Sequence, residues 1–401
     1  MTVYITPASL RRSQGTALSA SAIRFDEVRS WIFEKALPLW AGAGLDRVRG
    51  GSVEVLDLSG ADGAAHFKRT RVQCRQVYAF SQAHLLGWSG PGLEAAEHCW
   101  RFLAAHGRHE DGAWARRLGR EGGVLDPTVD AYDMAFVLYA LAWRLRTGQE
   151  GALSEAHATM DALDRRLGLG PGLGWRSAED IVLLDQNPHM HMLEASLELA
   201  EAAGDDRFAQ VAEDVLRLFR DRMFDPGLGI LPEKFEPGWN PVHGARREIW
   251  PGHHYEWTWL LHRARDVVGV DLTDQAKALY AFAEQHGPDP QNRLVDDALD
   301  GPEMVRQRRF RCWPQTEALK AHLAMFEHQG LDTRARIAET VSQMLDLYLA
   351  VEPAGSWQDR FGPDLEPLAK DAPASMLYHL LLAFLELLRL EPLLSGPPPA
   401  R

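Results

Sequence analysis

Six helical hairpins closed into a ring, an all-α (α/α)6 barrel, are what this sequence predicts. Three observations carry the prediction. Apolar residues recur with helical periodicity along the chain, and no long run alternates as a strand does. The helical stretches alternate in their connections, short turns bearing Gly or Asp joining the second helix of each pair to the next helix. Long segments span the other boundaries, and each delivers a polar-aromatic cluster to the start of an even-numbered helix, which is placed inside the ring.

The elements follow in order. A first helix is expected over 25–41, ahead of a long segment whose GGSVEVLDLSGADG suits a small hairpin. Helices at 69–88 and 92–106 flank SGPG near 89, and those at 129–147 and 151–165 flank TGQEG near 147. Helices at 189–204 and 206–222 flank GDD near 204, and those at 253–269 and 272–286 flank GVD near 269. Helices at 313–329 and 332–350 flank QGLD near 329, and a twelfth helix covers 374–390.

The clusters are RVQCRQVYAF, DAYDMAFVLY, QNPHMHMLEA, PGHHYEWTWL, CWPQTEALKA and ASMLYHLLLA. With Arg75, Asp133, His189, His253, Glu317 and His379 as markers, successive gaps are 58, 56, 64, 64 and 62 residues. A period near 60 is too long for tetratricopeptide or HEAT units. It fits one hairpin per repeat. AFVLYALAW and SMLYHLLLAFLELL are apolar nearly all round, as inner helices must be, whereas AEDVLRLFRDRM and TRARIAETVSQMLDLYL keep a polar face. Closure into a ring, rather than an open solenoid, gathers all six clusters at one mouth. One barrel domain over 1–401 is expected, with an ordered core of about 20–392 and a disordered tail from Ser395.

Composition narrows the function. The chain of 401 residues is ample for a large core. Its net charge of −13, without a basic block, excludes nucleic acid and anionic membranes as partners. Cys74, Cys99 and Cys312 lie far apart without CxxC spacing, which points to a reducing compartment and away from a cysteine-built metal site. MTVYITPASLRRSQG lacks the apolar core of a secretory signal, and no segment is fit to span a bilayer. A cytoplasmic protein, monomer or homodimer, is expected.

Pro-Gly-His-His-Tyr-Glu-Trp, from Pro251, concentrates the chemistry. His253 and Glu256 are three apart and share a helix face. Beside them at the mouth the ring brings Arg75, Asn187, His191, Trp313, Gln315, Glu317 and His379. Rings next to polar groups suit a sugar, with its apolar C–H faces and hydroxyl edges, and imidazoles accept and deliver protons near pH 7. His254 and His262 point to other faces and read as structural; His189 fits either role. Trp257 and Trp259 read as core, Trp313 as a stacking surface, and Asp133 as a helix-start or packing residue. His253, Glu256, His191 and His379 could ligate a metal, but there is no HExxH and no dense acidic run, so no metal and no cofactor are expected.

RGGSVEVLD, RQVYAFSQAH, QNPHMHMLEA, PGHHYEWTWLL, WPQTEALKA and YHLLLA, in this order, make the chain resemble the N-acylglucosamine 2-epimerase superfamily from about Phe25 to Leu390. That superfamily includes cellobiose 2-epimerases, D-mannose isomerases and sulfoquinovose isomerases. The EW after the histidine, with NPHMH, looks most like the D-mannose isomerase branch. The resemblance implies an (α/α)6 barrel and metal-free proton transfer on a free reducing sugar. It implies His253 and His379 as the acid/base pair, with Arg75, Asn187, His191, Glu256 and Glu317 holding or polarising the sugar. One departure is Trp250 before Pro251, where these isomerases often carry Glu.

The implied reaction takes D-mannose, or a related aldose such as lyxose, to the ketose through a cis-enediol, giving D-fructose from mannose. Reprotonation at C2 would make the chain a 2-epimerase instead. Two rival readings are an inverting glycoside hydrolase built on Glu256 and Glu317 and a sugar-binding protein without turnover.

Overall fold

The computed structural model describes residues 23–396. α1 (Phe25–Ser30) runs through a π-helical turn, Trp31–Ala36, into α2 (Leu37–Gly42). Five hairpins follow: α3 (Thr70–Leu85) with α4 (Gly92–His106), α5 (Ala131–Arg146) with α6 (Ala152–Leu167), α7 (Gln186–Ala203) with α8 (Asp206–Leu218), α9 (Pro251–Val268) with α10 (Thr273–His286), and α11 (Cys312–Gln329) with α12 (Arg334–Gln343). α13 (Met376–Leu394) completes the series. The odd-numbered helices from α3 to α13 form the inner ring of an (α/α)6 barrel, each packed on the next and α13 back on α3. The expected tail beyond Gly396, and the N-terminal stretch before residue 23, lie outside the described residues.

Inner and outer helices differ as their sequences require. From Met134 to Trp143 every residue of α5 is buried, and α13 is nearly as dry, since both faces of an inner helix meet protein. α8 buries one stripe, Phe208, Ala212, Val215, Leu216 and Leu218, and shows its charges to water.

Ring closure is made by the backbone. The first residue of an inner helix donates its N–H to a carbonyl in the following repeat: Thr70 to Arg116 (3.3 Å), Ala131 to Ser177 (2.9 Å), Gln186 to Glu233 (3.1 Å) and Cys312 to Asp359 (2.8 Å). Ala374, two residues ahead of α13, donates to Glu54 (2.9 Å) and joins the last repeat to the first. α9 opens with Pro251, which has no N–H to give. The segment 53–63 does form the expected hairpin, and its strand Val55–Asp57 also pairs antiparallel with Asp371–Pro373 across the seam.

The fourth residue of four inner helices clamps the turn that precedes it. His189 Nε2 accepts from Trp175 N–H (3.1 Å), His254 Nε2 from Leu231 N–H (3.1 Å), Gln315 Oε1 from Val295 N–H (3.0 Å) and Gln73 Oε1 from Ser52 N–H (2.7 Å). In the first three the other nitrogen donates to the carbonyl four residues back, Asp185, Trp250 or Arg311. A neutral imidazole can replace a carboxamide here, because each offers an acceptor to the turn amide and a donor to the carbonyl four residues back, the carboxamide having one further N–H. We therefore expect His254→Gln to keep the fold within about 1 kcal/mol, and His254→Ala to lose about 1–3 kcal/mol by stranding the Leu231 amide. Burial depresses the His254 pKa to about 4. Below its ordinary pKa of about 6.5 the unfolded chain takes up a proton that the folded wild type refuses. Denaturant melts from pH 7 to 4 should thus show Gln gaining on wild type; a gap that does not change with pH would refute the clamp.

Candidate active site

The sixth residues of α3, α5, α7, α9 and α11 are Arg75, Phe136, His191, Glu256 and Glu317. His379 stands sixth when counted from Ala374. That level of the ring carries Arg75, His191, Glu256, Glu317 and His379, whereas His253, Asn187 and Trp313 stand nearer the starts of α9, α7 and α11, and equivalence by helix position replaces the markers Asp133, His189 and His253. Above this level opens a cavity of about 490 Å³, lined among others by Arg75, Asn187, His191, His253, Glu256, Trp313 and His379.

Three imidazoles are held in the same way. His253 Nδ1 lies 2.8 Å from Glu233 Oε2, His379 Nδ1 2.9 Å from Glu317 Oε1, and His191 Nδ1 3.0 Å from Glu194 Oε2. A carboxylate at Nδ1 fixes the ring orientation and leaves Nε2 for chemistry. None of the three Nε2 atoms has a hydrogen-bond partner among the described residues. Gln186 braces the first pair: its Nε2 donates to Glu233 (3.0 Å) and its Oε1 accepts from Trp257 (2.6 Å). The Trp313 ring lies 4.9 Å from His253 and 6.0 Å from His379, centroid to centroid, so it neighbours both imidazoles. Trp250, the departure from the usual Glu, stacks on His253 at 5.0 Å and 18°.

Electrostatics divide the carboxyls. Burial, and then the charge of Glu317, push Glu256 far above the ordinary range, which makes it a neutral acid able to donate. Glu317 is buried too, but Lys320 at 2.5 Å and His379 pull it down to about 2. Burial lowers His379 to about 3 against the pull of Glu317, so its imidazole is neutral and free to accept a proton. Both oxygens of Glu256, Asn187 Oδ1 and Arg75 Nε are buried with no hydrogen-bond partner among the described residues, which suits a polyhydroxylated guest.

Two expectations are corrected. Gln315 does not reach the cavity, because its amide is spent on Val295 and Arg311 as a turn clamp. Glu317 does not line it either; it stands behind His379. Its carboxylate and that of Glu256 approach within 4.8 Å, whereas an inverting hydrolase needs about 6.5–9.5 Å to admit water. Two triads, His191/Glu194/Glu256 and Glu256/Glu317/His379, bring ligating atoms together. Lys320, 4.0 Å from Glu256 and beside Glu317, already supplies the cation there. Sequence reading missed Glu233, Glu194, Lys320, Gln186 and Tyr132. The spacing Glu194–His191 was a visible i,i+3 signal; Glu233 lies in a turn, where no periodicity marks it.

Comparison with known proteins follows this geometry. Residues 50–383 match the sequence model of a family described as N-acylglucosamine 2-epimerase. The mannose-6-phosphate isomerase of Rhizobium meliloti is 33% identical over 372 residues, 90% of this chain and 96% of that protein. The D-mannose isomerase of Thermobifida fusca is 27% identical over 368 residues, 85% of this chain and 89% of the relative. The cellobiose 2-epimerase structure from Spirochaeta thermophila superposes with a TM-score of 0.83 at 23% identity, over 92% of this chain and 97% of that one.

Proposed function

Because the chain belongs to the N-acylglucosamine 2-epimerase family, and is therefore a sugar isomerase or epimerase, we propose that it interconverts an aldose of the mannose type with its 2-ketose, D-mannose with D-fructose in the simplest case. The observation that carries this reading is the pair of imidazoles, His253 and His379, each backed by a carboxylate and neighbouring Trp313 in one cavity.

The opened sugar presents its C1 aldehyde and the acidified C2–H. A neutral imidazole takes the C2 proton, and the electron pair forms the C1–C2 double bond of a cis-enediol while the carbonyl oxygen gains charge. Arg75 and the protonated Glu256 stabilise that oxygen. The O2 proton then passes to O1, and as the O2 electron pair forms the C2 carbonyl the C1–C2 double bond takes the proton back at C1, which gives the ketose. A second imidazole across the sugar would instead reprotonate C2, so two histidines also suit an epimerase, and the same experiment separates the outcomes. In deuterium oxide with a chelator present, NMR should show mannose becoming fructose labelled at C1. Glucose labelled at C2 would establish the epimerase. Activity lost to the chelator and restored by one divalent metal would overturn the metal-free mechanism.

A further inference from the structure

Four arginines, Arg69, Arg71, Arg75 and Arg311, line this one cavity in a chain whose net charge is −13. Arg75 serves the reacting level: its terminal nitrogens donate to Tyr132 Oη (2.7 Å) and Ser375 O (3.3 Å), it packs over Phe136, and Nε alone is left for a guest. The other three share a different arrangement. Each is tethered from behind to a buried carboxylate: Arg69 Nε to Glu54 (2.7 Å), one terminal nitrogen of Arg71 to both oxygens of Asp133 (3.1 Å), and Arg311 Nε to Asp297. Their remaining guanidinium nitrogens have no partner among the described residues. Such tethers fix the direction of a guanidinium while leaving paired N–H donors free, the geometry that grips a tetrahedral oxyanion.

Position adds to this. Arg71 is one turn, about 5.4 Å, above Arg75 on the same face of α3, and its guanidinium lies over Tyr132. Arg75 sits at the level of His191 and His379, so Arg71 meets whatever extends from that level toward the mouth, where His253, third in α9, also stands. Arg311 reaches the same mouth from the far side of α13, over Trp250 and Trp313. Carboxylates that share the cavity weaken this field only partly. Asp130 and Asp185 turn to the first amides of α5 and α7, and burial raises them to about 6 and about 7, while Asp359 is likewise raised to about 6.

We propose that Arg71, with Arg69 and Arg311, forms an oxyanion subsite at the mouth that takes the phosphate of a hexose 6-phosphate while its C1–C2 end lies against His253 and His379. This rests on the isomerase reading above. The test compares mannose with mannose 6-phosphate. For wild type, kcat/KM should be at least tenfold higher on the phosphorylated sugar, and inorganic phosphate should compete with it. Arg71→Gln should cut that preference tenfold or more, chiefly through KM. Since removing Arg71 strands Asp133, Arg311→Gln gives a second measurement, in which Asp297 keeps Arg309 at 3.5 Å. An enzyme that makes fructose yet prefers plain mannose overturns the subsite and leaves isomerisation standing. No turnover of either sugar, with inorganic phosphate bound by wild type and not by Arg71→Gln, sinks the isomerase reading and supports the subsite.

Discussion

Replacing His253 or His379 by Asn is expected to lower kcat by roughly 10²–10⁴-fold, the usual cost of one acid/base group. Both rings are buried, but their Nδ1 atoms meet single carboxylates, Glu233 and Glu317, that an Asn amide can still satisfy in part. Melting should therefore move much less than turnover. The double variant should be far less than additive, because the two rings serve one proton transfer and the second loss acts on a step already gone. His254→Gln is the companion measurement: a neighbour in sequence whose ring faces Leu231 and Trp250 and not the cavity. Turnover within threefold of wild type for either single Asn variant, at normal folded fraction, would remove that histidine from the mechanism.

Much of this architecture was legible because it is periodic. Inner helices betray themselves by apolar residues on every face, and six clusters near 60 residues apart imply a closed ring. The level of each side chain was less legible. His253 and His254 are adjacent, yet one enters the cavity and the other clamps a turn, since neighbours on a helix diverge by about 100°. Gln315 looked like a sugar ligand for the same reason that His189 looked ambiguous: both are polar residues at a helix start, and only the preceding turn shows what they hold. The carboxylates behind the imidazoles follow no common rule. Glu194 is three residues from His191, Glu233 is 20 from His253 in a turn, and Glu317 is 62 from His379 on the adjacent inner helix. Such pairs arise from ring closure and cannot be read from local spacing. Lys320 escaped notice because a lysine in an inner helix looks like a solvated face until its neighbours are known.

The largest stability loss is expected at that lysine. Lys320 is fully buried in α11, its ammonium 2.5 Å from Glu317 Oε2, 4.0 Å from Glu256 Oε1 and 4.4 Å from the Trp259 ring centroid. It is the cation that keeps Glu317 ionised, and so keeps an acceptor behind His379 Nδ1. Lys320→Met preserves the chain volume but leaves a buried carboxylate unpaired, which costs about 3–5 kcal/mol. Adding Glu317→Gln should restore a large part, because it removes the stranded charge while an amide oxygen still faces the imidazole. The pH dependence distinguishes this cause from poor packing. In wild type Glu317 is held down to about 2, so its contribution is constant above the ordinary carboxyl pKa and is lost only in strong acid. Without Lys320 the carboxyl pKa rises above its unfolded value, so folding now takes up a proton. The deficit of Lys320→Met should then shrink as pH falls from 8 to 5, and disappear from the pH profile once Glu317→Gln is added. A deficit of equal size at both pH values would mean that Lys320 holds the fold through its alkyl chain alone, and that Glu317 owes its charge to something else.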